Sequence, residues 1–188
     1  MPRIKSQKSA DPEYSFISAK VISHRAAVDA SINYEVLDKK RLPGTSLDTK
    51  VYNFDTRLEI EGLCTSPEEE VGKACWFTVS ASERHNKELS TTLGACHVID
   101  DDGRKTYRTV KGQPTPIYNL PKSIGYLDRQ RGTSKWTGWI WLPSKTVSDM
   151  LALLAGPQQL YIHVHKMREG RIHHMRGFTL QTYDPLEE

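Results

Sequence analysis

Thr56-Arg57-Leu58-Glu59-Ile60-Glu61 and, further on, Cys75-Trp76-Phe77-Thr78-Val79-Ser80-Ala81 are the two stretches that decide the fold class. In the first, Leu58 and Ile60 alternate with charged residues. In the second, Cys75, Phe77, Val79 and Ala81 share one parity. Successive side chains of a strand point to opposite faces, so each stretch predicts a strand with one buried face. Between them, Ser66-Pro67-Glu68-Glu69-Glu70 cannot continue a ladder, which predicts a long hairpin with the three glutamates in a solvated loop. Centred on Glu69-Glu70, that hairpin sets Cys64 opposite Cys75. Two facing thiols could oxidise, but in a reducing compartment they read as small buried hydrophobes.

The same alternation spreads outward in both directions. It recurs at Ile17, Ala19 and Val21, at Ile32, Tyr34 and Val36, and from Leu93 to Ile99. Asp100-Asp101-Asp102-Gly103 then turns the chain into Lys105–Val110, an Asp-Gly hairpin signal. Trp136–Leu142, Leu160–Met167 and Ile172–Thr182 complete the strands. One helix is predicted over Ser144–Ala155, with Ser144 as N-cap, Val147, Met150, Leu151 and Leu154 on one stripe, and Gly156-Pro157 as the stop, Gly156 taking the left-handed position. Such a helix would plug one end or edge of the sheets. Eight to ten short strands and a single late helix predict a mainly β protein, an antiparallel β-sandwich or Greek-key barrel. The organisation expected is a flexible basic arm over residues 1–13, one β-rich domain over 14–183 and a short acidic tail over 184–188.

Composition agrees with a globular chain. Of 188 residues, 37% are apolar and 26% charged, which excludes wholesale disorder. No apolar run reaches the length of a membrane-spanning helix, and the basic start lacks the apolar core of a secretion signal. Three cysteines do not make a disulfide framework. The expectation is a cytoplasmic protein with no membrane partner and no cofactor.

Charge is skewed along the chain. Between Gly103 and Lys135 stand eight cations, Arg104, Lys105, Arg108, Lys111, Lys122, Arg129, Arg131 and Lys135, against one anion, Asp128. Tyr107, Tyr118, Tyr126 and Trp136 are interleaved with them. Cations neutralise phosphates and aromatic faces stack unpaired bases, so the mixture suits RNA or single-stranded DNA. A solvated loop face with inward aromatic rings is the plainer alternative.

The second feature is the ribbon from Tyr161 to Arg176, rich in histidine. With Glu169-Gly170 as a two-residue loop, His165 faces His174 and His163 faces Arg176. The outer face then gathers His163, His165, His174 and Arg176, ringed by Lys166, Arg168 and Arg171, while Leu160, Ile162, Val164, Met175 and Gly177 face the core. Three imidazoles permit zinc ligation, although the surrounding cations oppose it. They also permit general acid–base cleavage of a phosphodiester, or contact with phosphate and no chemistry. A different register would dissolve the cluster.

Elsewhere, His97 reads as a satisfied core histidine, and His24, His85 and Cys96 carry no signal. The Asp100–Asp102 run lacks the spacing of a calcium loop. No phosphate-binding Gly-rich loop, GxSxG elbow, HExxH or CxxC occurs. Trp136–Leu142 is apolar on both faces, which leaves core and partner surface open. The leading expectation is a non-catalytic nucleic-acid-binding β domain within a protein–nucleic acid assembly. The alternatives are a histidine-based or metal-dependent phosphodiester hydrolase, and a protein-interaction module or homo-oligomer.

Overall fold

Leu58 and Ile60 do lie on the inward face of one strand, and Phe77 and Val79 on the inward face of its neighbour, all four fully buried. The computed structural model describes residues 12–32, 51–82, 92–121, 123–129 and 134–186. Lys122, Arg131, His85, Tyr34 and Val36, nearly all of the arm and the end of the tail lie outside the described residues.

The strands are β1 (Glu13–Ile32), β2 (Tyr52–Ser66), β3 (Ala74–Ser82), β4 (Tyr107–Val110), β5 (Gln113–Pro116), β6 (Gly125–Arg129), β7 (Trp136–Trp141), β8 (Tyr161–Glu169) and β9 (Ile172–Gln181). Seven close into a barrel in the order β1-β2-β3-β7-β6-β9-β8, and β4 and β5 form a separate two-stranded sheet. The mainly β expectation therefore resolves to a barrel, with one departure. The β3–β7 pair is parallel, set Phe77 to Gly138, while the other barrel pairs are antiparallel. Parallel neighbours need a long crossover, and residues 83–135 supply it.

Strand parity decides the interior. Ile17, Leu58, Ile60, Phe77, Ile140, Ile162, Val164 and Met175 fill it. Burying each of the larger side chains contributes roughly 1.5–3 kcal/mol. Gly138 makes room for this packing, since a Cβ there would come within 2.6 Å of the Phe77 ring. Phe77 meets Phe178 edge-on, with centroids 5.6 Å apart. The tryptophan strand divides as its parity requires: Trp136 and Ile140 point inward and are buried, Trp141 is half-buried and Trp139 is 46% exposed.

Helix α1 (Ser144–Leu154) packs Val147, Met150 and Leu154 onto the ends of β2 and β3, closing the barrel end at which β7 finishes and β8 begins. Pro143 takes the N-cap position in place of Ser144. Gly156 is not among the glycines with positive φ. Backbone bonds from Ala155 to Leu151 and from Gly156 to Leu153 finish the last turn, and Pro157 cannot extend it.

Leu93–Ile99 is not a strand. Leu93–Cys96 forms a 3-10 turn, followed by isolated bridges at His97–Tyr118 and Ile99–Lys105. His97 is half-buried, with Nε2 3.2 Å from the Thr106 carbonyl and its ring against Tyr107 and Tyr118. The cysteine hairpin also pairs differently. A 3-10 turn at Glu68–Glu70 and a left-handed Gly72 lengthen its loop, so Cys75 opposes Gly62. Cys64 and Cys75 are still buried, free and hydrogen-bonded to each other. The Cys75 thiol is pushed far up by that bond, by burial and by its neighbour's charge, which keeps it protonated and inert.

Candidate anion site at the barrel mouth

The end of the barrel opposite α1 changes character within two residues on several strands. On β8 the inward parity runs Ile162, Val164, then Lys166 and Arg168. On β9, His173 continues the parity of Met175, and on β1, Glu13 and Ser15 continue that of Ile17 and Ala19. Arg129 ends β6, Trp136 begins β7, and Glu70 reaches in from the 3-10 turn. These eight residues line a cavity of about 300 Å³.

Trp136 is its floor. The indole Nε1–H donates to Glu70 Oε2 at 3.0 Å. The Lys166 ammonium lies 4.4 Å from the ring centroid, the Arg129 guanidinium 5.6 Å, and the His173 ring stands perpendicular at 5.4 Å. A cation over an indole face gains roughly 0.5–2 kcal/mol, more as water is excluded.

The charges do not balance. Glu70 is buried, which disfavours its ionised form, but the Trp136 bond, Lys73 at 3.2 Å and Arg129 at 3.5 Å outweigh this and hold its carboxyl below the ordinary carboxylate range. Glu13 is 3.9 Å from Arg168 and largely exposed. Among the described residues, Lys166 has no carboxylate within ion-pair distance. Burial, with Arg129 adding to it, lowers the Lys166 pKa against the pull of Glu70 and other acids. Burial, Lys166 and Arg168 likewise depress His173, whose buried Nδ1 has no hydrogen-bond partner. The lining sets three cations, Arg129, Lys166 and Arg168, against two carboxylates, Glu70 and Glu13.

The histidine ribbon has another register. Glu169 pairs with Ile172 around the two-residue turn Gly170-Arg171, with Gly170 at φ +63. A two-residue hairpin with glycine at its first central position takes this shape. His174 therefore faces Met167, and a bulge beyond Lys166 sets His165 against Gly177 and His163 against Thr179. His163 and His165 are neighbours, with centroids 4.7 Å apart. His174 is buried elsewhere, beside Tyr126 and 3.5 Å from Glu169. The expected opposition of His165 to His174 and of His163 to Arg176 does not form, because the turn sits one residue later. Ser18 Oγ lies 2.8 Å from His163 Nδ1, but Ser18 is fully buried and no substrate can reach its oxygen. Among the described residues, no group of three or more His, Cys, Asp or Glu side chains is placed to hold a metal ion.

The cations chosen from sequence separate into groups. Arg129, Lys166 and Arg168 meet at the mouth. Lys135 lies over Trp76, 4.8 Å from the ring centroid, next to Trp136 in sequence. Arg171 is exposed in the β8–β9 turn, and Arg176 donates to the Pro121 carbonyl. Arg108 and Lys111 belong to the separate β4–β5 sheet, Lys111-Gly112 forming its turn, and Arg104 and Lys105 sit just before it. Sequence reasoning missed Glu13, Ser15, His173 and the buried Glu70, which had been assigned to solvent. Parity was the signal available: Lys166 and His173 fall on the core face of the ribbon. A larger groove of about 540 Å³ runs along Ala95–Ile99 and Asn119–Pro121, but among the described residues its lining holds no lysine or arginine.

No family model matches this chain, no curated protein matches its sequence, and no solved structure matches its fold.

Proposed function

We propose that the protein binds nucleic acid, RNA or single-stranded DNA, without cleaving it, and seats a backbone phosphate in the barrel mouth on Arg129, Lys166 and Arg168. The observation that carries this reading is Lys166, half-buried among cations and lacking an ion-pair partner among the described residues. A phosphate there would accept from Lys166 and Arg168 and from protonated His173. Lys135 over Trp76, with the exposed faces of Tyr126 and Trp139, supplies the aromatic and cationic surface along which further nucleotides could run. The reading extends to a component of a protein–nucleic acid assembly. Cleavage is not part of it: His174 sits apart from the neighbouring His163 and His165, beside Tyr126 and Glu169, and His163 bonds the buried Ser18.

The test is fluorescence anisotropy with labelled single-stranded RNA and DNA across a salt series, with inorganic phosphate as competitor. Lys166→Met is expected to weaken binding at least about tenfold and to flatten the salt slope by about 0.7. Arg108→Ala, on the detached sheet, should change affinity by less than about twofold. Oligonucleotide binding that is absent at low salt, or indifferent to Lys166→Met, overturns the proposal. Phosphate bound without the oligonucleotide would leave an anion site and remove the nucleic acid.

A further inference from the structure

β1 outruns its partner on one side. β8 pairs with it only from Glu13 to Lys20, yet β2 accompanies it to Ile32. Beyond a bulge at Ile22, residues 23–32 therefore form the outer strand of a ribbon, every one exposed, with a free edge among the described residues. Its inward-continuing face carries Val28 at 78% exposure, beside Phe54 on β2 at 61%. Long exposed edges are templates for pairing, and natural chains usually blunt them.

The charges along this edge are complementary to the same edge reversed. Ser23-His24-Arg25-Ala26-Ala27-Val28-Asp29-Ala30-Ser31 read about Ala27 sets Ser23 against Ser31, His24 against Ala30, Arg25 against Asp29 and Ala26 against Val28. Two copies paired antiparallel about a twofold axis at Ala27 would thus oppose no like charges and form two Arg25–Asp29 pairs. The monomer supplies an independent reason. Asp29 lies directly opposite Asp55 on β2, a like-charge pair that destabilises a ladder, and Asp29 has no ion-pair partner among the described residues. Arg57 stands two pairs further along, opposite Ala27. Arg25 already pairs with Glu59 and lies over Trp76, but is 72% exposed, with donors left for a second carboxylate.

We infer that the β1 edge from Ser23 to Ser31 is a self-association surface, whose partner is the same edge of a second copy of this chain, locked by reciprocal Arg25–Asp29 pairs. The interface joins two barrels through one continuous antiparallel sheet and leaves the mouth, at the far end of β1, open in both copies.

Sedimentation velocity on the full chain over a concentration series tests it. The wild type is expected to be a reversible dimer at about 100 µM. Asp29→Arg, which also relieves the Asp29–Asp55 repulsion and so keeps the fold, should weaken dimerisation at least about tenfold by placing arginines face to face. Arg25→Asp should do the same with carboxylates. An equal mixture of the two variants should recover a heterodimer, since each acidic edge then meets a basic one. A monomeric wild type overturns the inference, as does a dimer that Asp29→Arg leaves intact or a mixture that stays monomeric.

Discussion

The two ends of the barrel are built from the same strands and closed in opposite ways. At one, α1 lays Val147, Met150 and Leu154 over the apolar interior. At the other, the inward parity continues into Lys166, Arg168, His173 and Glu13 around an aromatic floor. Only the first end is what packing alone would select, because half-buried charge without a partner costs stability. Local conflict of this kind concentrates where a ligand binds. The contrast separates the end of the barrel that packing holds together from the end that carries charge without a full set of partners.

The strongest way to sharpen that contrast is to cut into the plug. Leu154→Ala should lower unfolding stability by about 2–5 kcal/mol in a denaturant titration, while anion affinity of the folded protein stays unchanged. Affinity falling in step with stability would mean the two ends are not separable.

A smaller effect is expected from the mouth's one buried carboxylate. The Glu70 pKa is lower folded than unfolded, so its contribution is complete above the ordinary carboxylate value of 4.5 and is lost as pH falls through the folded value. Glu70→Gln should therefore cost about 1–3 kcal/mol at neutral pH and unfold with a shallower loss of stability in acid. An unchanged acid limb would show that Glu70 is not held by Trp136, Lys73 and Arg129.

The smallest effect concerns His173, depressed below 6.5 by burial and by Lys166 and Arg168. The unfolded chain takes up this proton first, so the free protein loses stability as pH drops below about 6.5. A bound anion favours the charged ring, so sulfate, which takes up no proton itself in this range, should bind more tightly across the same fall in pH, with proton uptake visible by calorimetry in buffers of different ionisation enthalpy. His173→Gln should abolish the uptake. Uptake that persists in this variant would assign the proton elsewhere.

Much of the architecture was legible because alternation and burial share one cause. Thr56–Glu61, Cys75–Ala81 and the stripe of α1 all fell where parity and spacing put them. Tyr107–Val110 fell within the strand expected at Lys105–Val110, but two short strands were not legible: Gln113–Pro116 contains two prolines, and in Gly125–Arg129 only Leu127 is a buried side chain. Leu93–Ile99 alternates, yet Gly94 and its neighbours coil into a 3-10 turn. At the histidine ribbon the loop was placed one residue early, and every cross-strand pair moved with it. The mouth was partly in view, since Lys166, Arg168 and Arg129 were already candidates. Glu70 and Glu13 come from segments distant in sequence, and only barrel closure brings them to Lys166.

That closure has a kinetic side. The ring consists of two arcs, β1-β2-β3 and β7-β6-β9-β8, joined by the parallel β3–β7 pair and by β1 against β8, and the second arc is itself joined by β6 against β9, Gly125 to Met175. The first seam joins Cys75 to Trp136 and the second joins Glu13 to Arg168, so both span long stretches of chain. Loop entropy must be lost before either seam gains anything in return. The sequence-local pieces β1-β2-β3, β6-β7 and β8-β9 can form before these joints, and sealing the long-range joints is expected to be the slow step of folding. Arg129, Trp136, Lys166 and His173 all belong to the second arc, whereas Glu13 and Glu70 come from the first segment of the chain. Until the seams seal, the mouth is a cationic surface without its carboxylates, and an anion present during folding meets that half first.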